Sequence, residues 1–200
     1  MIDTERRVDG PPAAAESTDA EIITASLAEP DRFGVLYERH AGVLHGYAYR
    51  RLGREAAEDV VAETFMKAFR ARRTYDLRHS DARPWFFAIA IREIARHHRV
   101  EQARYRALLR SARDRGAEDL ADRVADAASA RAWRRPLVEA LARLSRRDRD
   151  VLLLIAWADL TYEEVARALG IPLGTVRSRL HRARRNIRKC LPGDIAQELT

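Results

Sequence analysis

The stretch TYEEVARALGIPLGTVRSRLHRARR, residues 161–185, constrains the fold more than any other part of the chain. Thr161 followed three residues on by Glu164 has the spacing of a capping box, in which each side chain satisfies the other residue's unpaired backbone N–H at a helix start. Val165, Ala166 and Leu169 then form an apolar stripe, and Gly170 stands where that helix is expected to stop. Pro172 opens a second helix. Its Val176, Leu180, Ala183 and Ile187 recur at spacings of four, three and four, so they share one buried face. The opposite face is left to Arg177, Ser178, His181, Arg182, Arg185 and Arg188. A short helix, a glycine turn and a second helix that is apolar inside and arginine-rich outside is the sequence form of a major-groove reader. A surface helix with solvated arginines is the alternative, but it gives no reason for cap, turn and polarity signals to fall in register.

The chain has 200 residues, room for one or two small domains and too few for a large multidomain enzyme. Its formal net charge of +7 favours a polyanionic partner, either nucleic acid or an anionic membrane surface. No apolar run approaches the roughly 20 residues that span a bilayer, so no membrane insertion is expected. The first residues also lack the charged-then-apolar pattern of a signal peptide. The single cysteine, Cys190, fits a reducing cytoplasm. Lys67 and Lys189 are the only lysines. Nearly all positive charge is therefore guanidinium, suited to bidentate phosphate and guanine contacts, although a G+C-rich coding bias would produce the same composition.

In chain order, residues 1–18, with Gly10, Pro11, Pro12 and an alanine run, read as a disordered tail. A short helix follows from Asp19, and after Pro30 a longer one, for which Asp31 is the expected cap, runs to Gly53. Residues 55–69 divide cleanly on a helical wheel. Ala57, Val61, Phe65 and Ala68 form a core face, whereas Asp59, Ala62, Glu63 and Met66 form an acidic, partly apolar stripe. Such a stripe is either plainly solvated or, given the methionine between carboxylates, a docking surface for a basic partner.

Residues 72–84 break into a polar loop containing Tyr75, Asp76, His79 and Ser80. After Pro84 a helix resumes, with Phe87, Ala90, Ile91 and Ile94 on its core side and Trp85, Ala88, Ile89, Arg92, Arg96 and Arg99 on the other. An aromatic ring beside an arginine row is the chemistry of single-strand binding, while Trp85 would serve equally as a core residue. From residue 100 to 132 the apolar period weakens. Arg104, Arg106, Arg110 and Arg113 give way to Asp114, Glu118, Asp119, Asp122 and Asp126, the pattern of a linker. A second domain, residues 133–190, starts near Trp133 with Leu137, Leu141 and Leu144 on one face. Ser145 and Asp148 then cap a helix carrying Val151, Leu152, Leu154 and Ile155. Residues 191–200 read as a frayed tail.

Taken together, these segments resemble the sigma-70 family of bacterial transcription initiation factors, in its small extracytoplasmic-function (ECF) group. DVVAETF at residues 59–65 is similar to the second-region helix that grips the polymerase clamp, and WFFAIA at 85–90 resembles the tryptophan-led helix of the promoter-melting segment. GIPLGTVRSRLHRAR at 170–184 looks like the fourth-region recognition helix. The resemblance implies an all-α fold of two small helical domains joined by a flexible linker: a region 2 domain at residues 19–99 and a region 4 helix-turn-helix domain at 133–190.

The resemblance also implies residue roles. Asp59, Ala62, Glu63 and Met66 would hold core RNA polymerase at the clamp, with the fourth-region domain on the flap. Tyr75, Asp76, His79 and Ser80 would pocket a flipped base of the minus-ten element beside Trp85, and Arg92, Arg96 and Arg99 would follow the strand. Arg92 stands where the family often has asparagine. Thr175, Arg177, Ser178, Arg179, His181, Arg182 and Arg185 would read or clamp the minus-thirty-five element. The acidic linker would run through the RNA exit path, and an anti-sigma factor is an expected partner.

No enzymatic site is legible. There is no phosphate-cradling glycine loop and no nucleophile elbow. His40 and His45 are five apart and His97 and His98 adjacent, so neither pair has the i, i+4 spacing of metal ligands; no cofactor and no metal are expected. The competing class is a stand-alone helix-turn-helix regulator whose N-terminal half is a sensor or dimerisation domain.

Overall fold

The computed structural model describes residues 17–113 and 134–190, and every regular element among them is helical. Residues 1–16 of the tail expected at 1–18, the tail expected at 191–200, and residues 114–132 of the expected linker, with Trp133 after it, lie outside the described residues, whereas Thr18 is the cap of the first helix. Helix α1 (Asp19–Ala25) starts with a capping box, Glu21 N–H donating to Thr18 Oγ1 at 3.3 Å and Thr18 N–H to Glu21 Oε2 at 2.8 Å. A 3-10 turn (Pro30–Phe33) leads into α2 (Gly34–Leu52). Asp31 does not cap it: Pro30 starts the turn, so Asp31 falls inside, and neither the turn nor α2 has a side-chain cap. Gly53, at φ 83°, makes the corner into α3 (Arg54–Ala71). Helix α4 (Arg83–Arg113) follows the loop and continues well past residue 99, so the first part of the charged stretch is helical, with Arg104 paired to Glu101 at 2.9 Å.

Aromatic rings on α4 knit this half together. The Phe86 ring lies 4.9 Å from Phe65, 5.2 Å from His40 and 6.3 Å from Phe33, and Phe87 meets Tyr47 edge-on at 5.2 Å. Ala57, Val61, Phe65 and Ala68 are buried on α3, joined by Val60 and Thr64. On α4 the buried apolar side chains include Phe86, Phe87, Ile89, Ala90, Ile91, Ile94 and Ala95, and Glu93 is buried among them. Ile89, expected on the open face, is instead 9% exposed and part of the core cluster.

One carboxylate pins three segments. Asp19 Oδ2 accepts from His40 Nε2 at 2.7 Å and from the Ala82 N–H at 2.9 Å, while Oδ1 accepts from Arg39 Nη1 at 3.0 Å. Burial opposes ionisation of Asp19, but the His40, Ala82 and Arg39 donors outweigh it and hold the carboxyl below its ordinary range. Asp81 is close enough for its carboxylate to share a 4.8 Å cluster with Asp19 and His40. The hydrogen bonds just given account for that cluster as a tie between α1, α2 and the start of α4.

The second half comprises α5 (Arg134–Arg143), α6 (Arg146–Ala158), α7 (Tyr162–Leu169) and α8 (Leu173–Cys190). Ser145 caps α6, its Oγ accepting from the Asp148 N–H at 3.2 Å. Arg149 turns back to donate to the carbonyls of Leu141, Ala142 and Leu144 at 2.8–3.1 Å, satisfying the orphan acceptors at the end of α5. Val151, Leu154, Val165, Val176 and Leu180 belong to the same buried cluster as the aromatic core, and Ala140, Leu144, Ala183 and Ile187 form a satellite. The two halves touch: α4 packs on α7, and α2 on α6. No helix among the described residues is long and apolar enough to cross a membrane.

Asp19→Ala should cost about 3 kcal/mol, because it strands the buried His40 and the Ala82 N–H. The folded pKa of Asp19 lies below its unfolded value. Its contribution is therefore complete above the ordinary aspartate pKa and is lost as pH falls through the folded value. Urea melts of wild type and variant should differ at neutral pH and converge in acid; a gap that stayed constant would contradict the pin.

Candidate nucleic-acid interface

The helix-turn-helix forms by local rules. Thr161 N–H donates to Glu164 Oε2 at 2.8 Å and Glu164 N–H to Thr161 Oγ1 at 3.2 Å, completing the box. Gly170 adopts the left-handed conformation (φ 62°, ψ 42°), with its N–H on the Arg167 carbonyl at 3.2 Å and the Ile171 N–H on Ala166 at 3.0 Å. This Schellman pair closes α7, and a residue with a side chain would be strained there. Helix α8 then buries Val176, Leu180, Ala183 and Ile187 and leaves Arg177, Ser178, His181 and Arg185 exposed. Thr175 and Arg179 are half-buried, and Ser178 Oγ donates to the Thr175 carbonyl at 3.1 Å.

Arg177, His181, Arg184, Arg185, Arg188 and Lys189 line a basic groove of about 490 Å³ with Tyr162 of α7 at its edge. Guanidiniums in a concave surface beside an aromatic edge fit phosphates and base edges of a duplex. Arg184, Lys189 and Tyr162 were not among the residues singled out from sequence. Arg184 lies seven residues, two turns, from Arg177, and that period was a legible signal.

Arg182 behaves differently from its neighbours. Its Nε and Nη2 donate to both oxygens of Asp148 on α6, at 3.0 and 2.8 Å. The Asp148 side chain is 6% exposed while that of Arg182 is 50% exposed. The Arg182 bonds hold the Asp148 carboxyl below its usual range. Arg182 thus fixes α8 on α6 as a strut, with one edge left in solvent.

The loop before α4 is ordered by its own polar groups. Tyr75 is buried, its OH donating to the His79 carbonyl at 2.7 Å and its ring 5.1 Å from Trp85. Burial, reinforced by the Asp19 and Asp81 charges, pushes its phenol up to about 12. Asp76 is held well below the ordinary range by Arg78, which contacts it through side chain and backbone N–H. His79 is half-exposed, while Ser80 is exposed and accepts the Asp19 N–H at its carbonyl, 2.9 Å away. Trp85 is half-buried between Tyr75 and Phe86.

The arginine row of α4 divides. Arg92, Arg96 and Arg99 are all exposed, but Arg92 borders the seam with the second half, whereas Arg96 donates to Glu93 at 3.0 Å and lines a cleft with Asp59 and Glu63. On the α3 stripe Asp59, Ala62 and Met66 are exposed, Met66 to 47%. Glu63 is half-buried and paired to Lys67 at 3.3 Å, which in turn binds Glu93 at 2.6 Å.

Removing either partner of the Arg182–Asp148 pair should lower the melting temperature of the chain, and the double Ala variant should lose less than the two single losses added together. Additive losses would mean that the pair does not position α8.

Comparison with known proteins places the chain in a family. Residues 36–104 match the family described as Sigma-70 region 2, and residues 134–187 match Sigma-70, region 4. The chain is 32% identical over 186 residues to the ECF RNA polymerase sigma factor SigK of Mycobacterium ulcerans, covering 91% of this chain and 97% of that protein. It is 35% identical over 173 residues to SigL of Mycobacterium tuberculosis, covering 86% and 96%. Among solved structures, RpoE of Bartonella quintana, crystallised with the anti-sigma factor NepR, superimposes with a TM-score of 0.54 at 27% identity, covering 82% of this chain and 99% of that one. CnrH in complex with the cytosolic domain of CnrY shares the fold, with a TM-score of 0.59 at 22% identity, covering 84% and 94%. The chain therefore belongs to the ECF group of the sigma-70 family, non-enzymatic factors that direct RNA polymerase to promoters for transcription initiation.

Proposed function

We propose that α8 reads the minus-thirty-five element in the major groove, that the loop from Tyr75 with Trp85 and the arginines of α4 takes the minus-ten element as a single strand, and that the α3 stripe docks on the polymerase clamp. The carrying observation is the two-sided α8, with its apolar face sealed and Arg177, His181, Arg184 and Arg185 lining one groove. Arg177, Ser178, His181 and Arg185 make the duplex contacts; Thr175 and Arg179 flank them, and Arg182 holds the helix at its angle. Asp59, exposed beside Ala62 and Met66, presents acid and a soft apolar side chain to a basic partner, and the paired Glu63 extends that charge. The second-half domain meets the flap. The chain works where polymerase works, in the cytoplasm. A dedicated anti-sigma factor restrains it, as NepR is bound to RpoE in the similar structure.

Affinity for the promoter is shared between two contacts and the polymerase that holds them, so neither domain needs tight binding of its own. Band shifts on a cognate promoter should show a specific complex only when core polymerase is present. Tight specific binding by the chain alone would return the function to a stand-alone regulator. Arg177→Ala with Arg185→Ala should reduce promoter-directed transcription by about ten-fold or more, at roughly 1–3 kcal/mol per base-reading arginine, and leave core binding within about two-fold. A parallel loss of core binding would remove α8 from the duplex. Reversing Asp59 and Glu63 to lysine should abolish co-purification with core polymerase, and retained co-purification would make the stripe a solvated face.

A further inference from the structure

We propose that the cleft bordered by α4, α6, α7 and α8 is a binding site for a purine nucleoside polyphosphate, its phosphates held by four arginines and its base laid on an apolar floor. The site belongs to the free chain and does not depend on the promoter contacts proposed above.

The cleft has a volume of about 370 Å³, and Arg92 of α4, Arg146 and Arg147 of α6 and Arg179 of α8 line it. One carboxylate, Asp150, stands among these four guanidiniums. It is already engaged. Asp150 Oδ1 accepts from Arg51 Nη1 at 2.7 Å, in a pair whose side chains are 7% and 8% exposed, and its Oδ2 faces Arg146 Nε at 3.7 Å. Asp148, the other carboxylate at this end of α6, is held on both oxygens by Arg182. Among the described residues, Arg92, Arg147 and Arg179 have no hydrogen-bonded or ion-paired acceptor. Positive charges gathered round one concavity repel each other and attract an anion, and the flat, paired donors of a guanidinium match phosphate oxygens. Arg146 and Arg147 are also the first two residues of α6, the end of a helix that carries partial positive charge.

The floor calls for more than a phosphate. Ala88 and Ile91 of α4 lie there beside Ala168 and Leu169 of α7, and Ile91 and Ala168 are buried. Small aliphatic side chains present a smooth apolar surface, which suits the face of a purine and offers nothing to an inorganic anion. The volume also falls within the range of about 300–1,000 Å³ found for pockets that take small organic ligands. A polyanion with a flat apolar ring at one end fits both halves of the cleft. The basic groove of α8 is a separate surface: Arg179 is not among its lining residues, and Arg188 and Lys189 are.

Isothermal titration of the full chain with GTP tests the site. Wild type should bind GTP at a single site, guanosine should give no measurable heat, and inorganic tripolyphosphate should bind about ten-fold or more weakly than GTP, because it lacks the ring that covers the floor. Arg92→Glu combined with Arg147→Glu should weaken GTP about ten-fold or more, the loss expected when charge-assisted phosphate contacts are removed. Both side chains are exposed, so thermal melts followed by circular dichroism should match wild type. Arg188→Glu combined with Lys189→Glu changes the net charge equally but lies in the α8 groove, and should leave GTP affinity within about two-fold. Equal weakening by the two pairs would make binding a matter of overall charge and overturn the site, as would a wild-type chain that does not bind GTP. Tripolyphosphate as tight as GTP would overturn the assignment of a nucleoside.

Discussion

Helix α4 carries more apolar surface than its own domain covers. Phe86 and Phe87 fill the space against α2 and α3, while Ile89, Ile91 and Ala88 extend round the helix toward the side that carries Arg92. Burying a large apolar side chain is worth about 1.5–3 kcal/mol, so leaving that second side in water is unfavourable. In the described structure α7 covers it. The side of α4 that carries Arg92, proposed above for the minus-ten strand, is thus partly covered by the second half.

Arginine serves this chain in two ways, and the partners of each guanidinium separate them. Arg51, Arg149 and Arg182 are struts: each ties its own helix to another, through a carboxylate or a row of carbonyls. Their forked donors suit that task better than a lysine ammonium, which has no fixed plane. Arg177 and Arg185 on α8 instead point into open solvent along a concave groove, where polyanion binding is a matter of charge and shape. The net charge alone does not distinguish the two populations.

What was legible in the sequence was local. The Thr161–Glu164 box, the Gly170 corner and the buried face of α8 follow from hydrogen-bonding and period within a few residues, and the observed geometry repeats them. The acidic stripe of α3 and the Phe87, Ala90, Ile91 and Ile94 side of α4 were readable for the same reason, whereas Phe86, the ring at the centre of the core, was not on the expected face. Long-range pairing was not. Arg182 meets Asp148 across 34 residues and Arg51 meets Asp150 across 99, and no helical period announces either. Ile89 falls on the open side of a wheel because a wheel contains one helix and no neighbour. Helix α4 outlasts its apolar period because arginine and glutamate are good helix formers and pair along its surface, as Glu101 and Arg104 do. Asp31 lost its expected capping role to the proline that precedes it.

The proposed function puts two DNA contacts on separate domains that polymerase holds apart. Its most direct test is the distance between the domains. Spin labels at Arg70→Cys on α3 and Lys189→Cys on α8, in a chain whose Cys190 is serine, would report it by pulsed dipolar spectroscopy. The free protein should give one short, narrow distribution, and core polymerase should replace it with a clearly longer one. A broad, long distribution in the free chain, or one unchanged by polymerase, would contradict it.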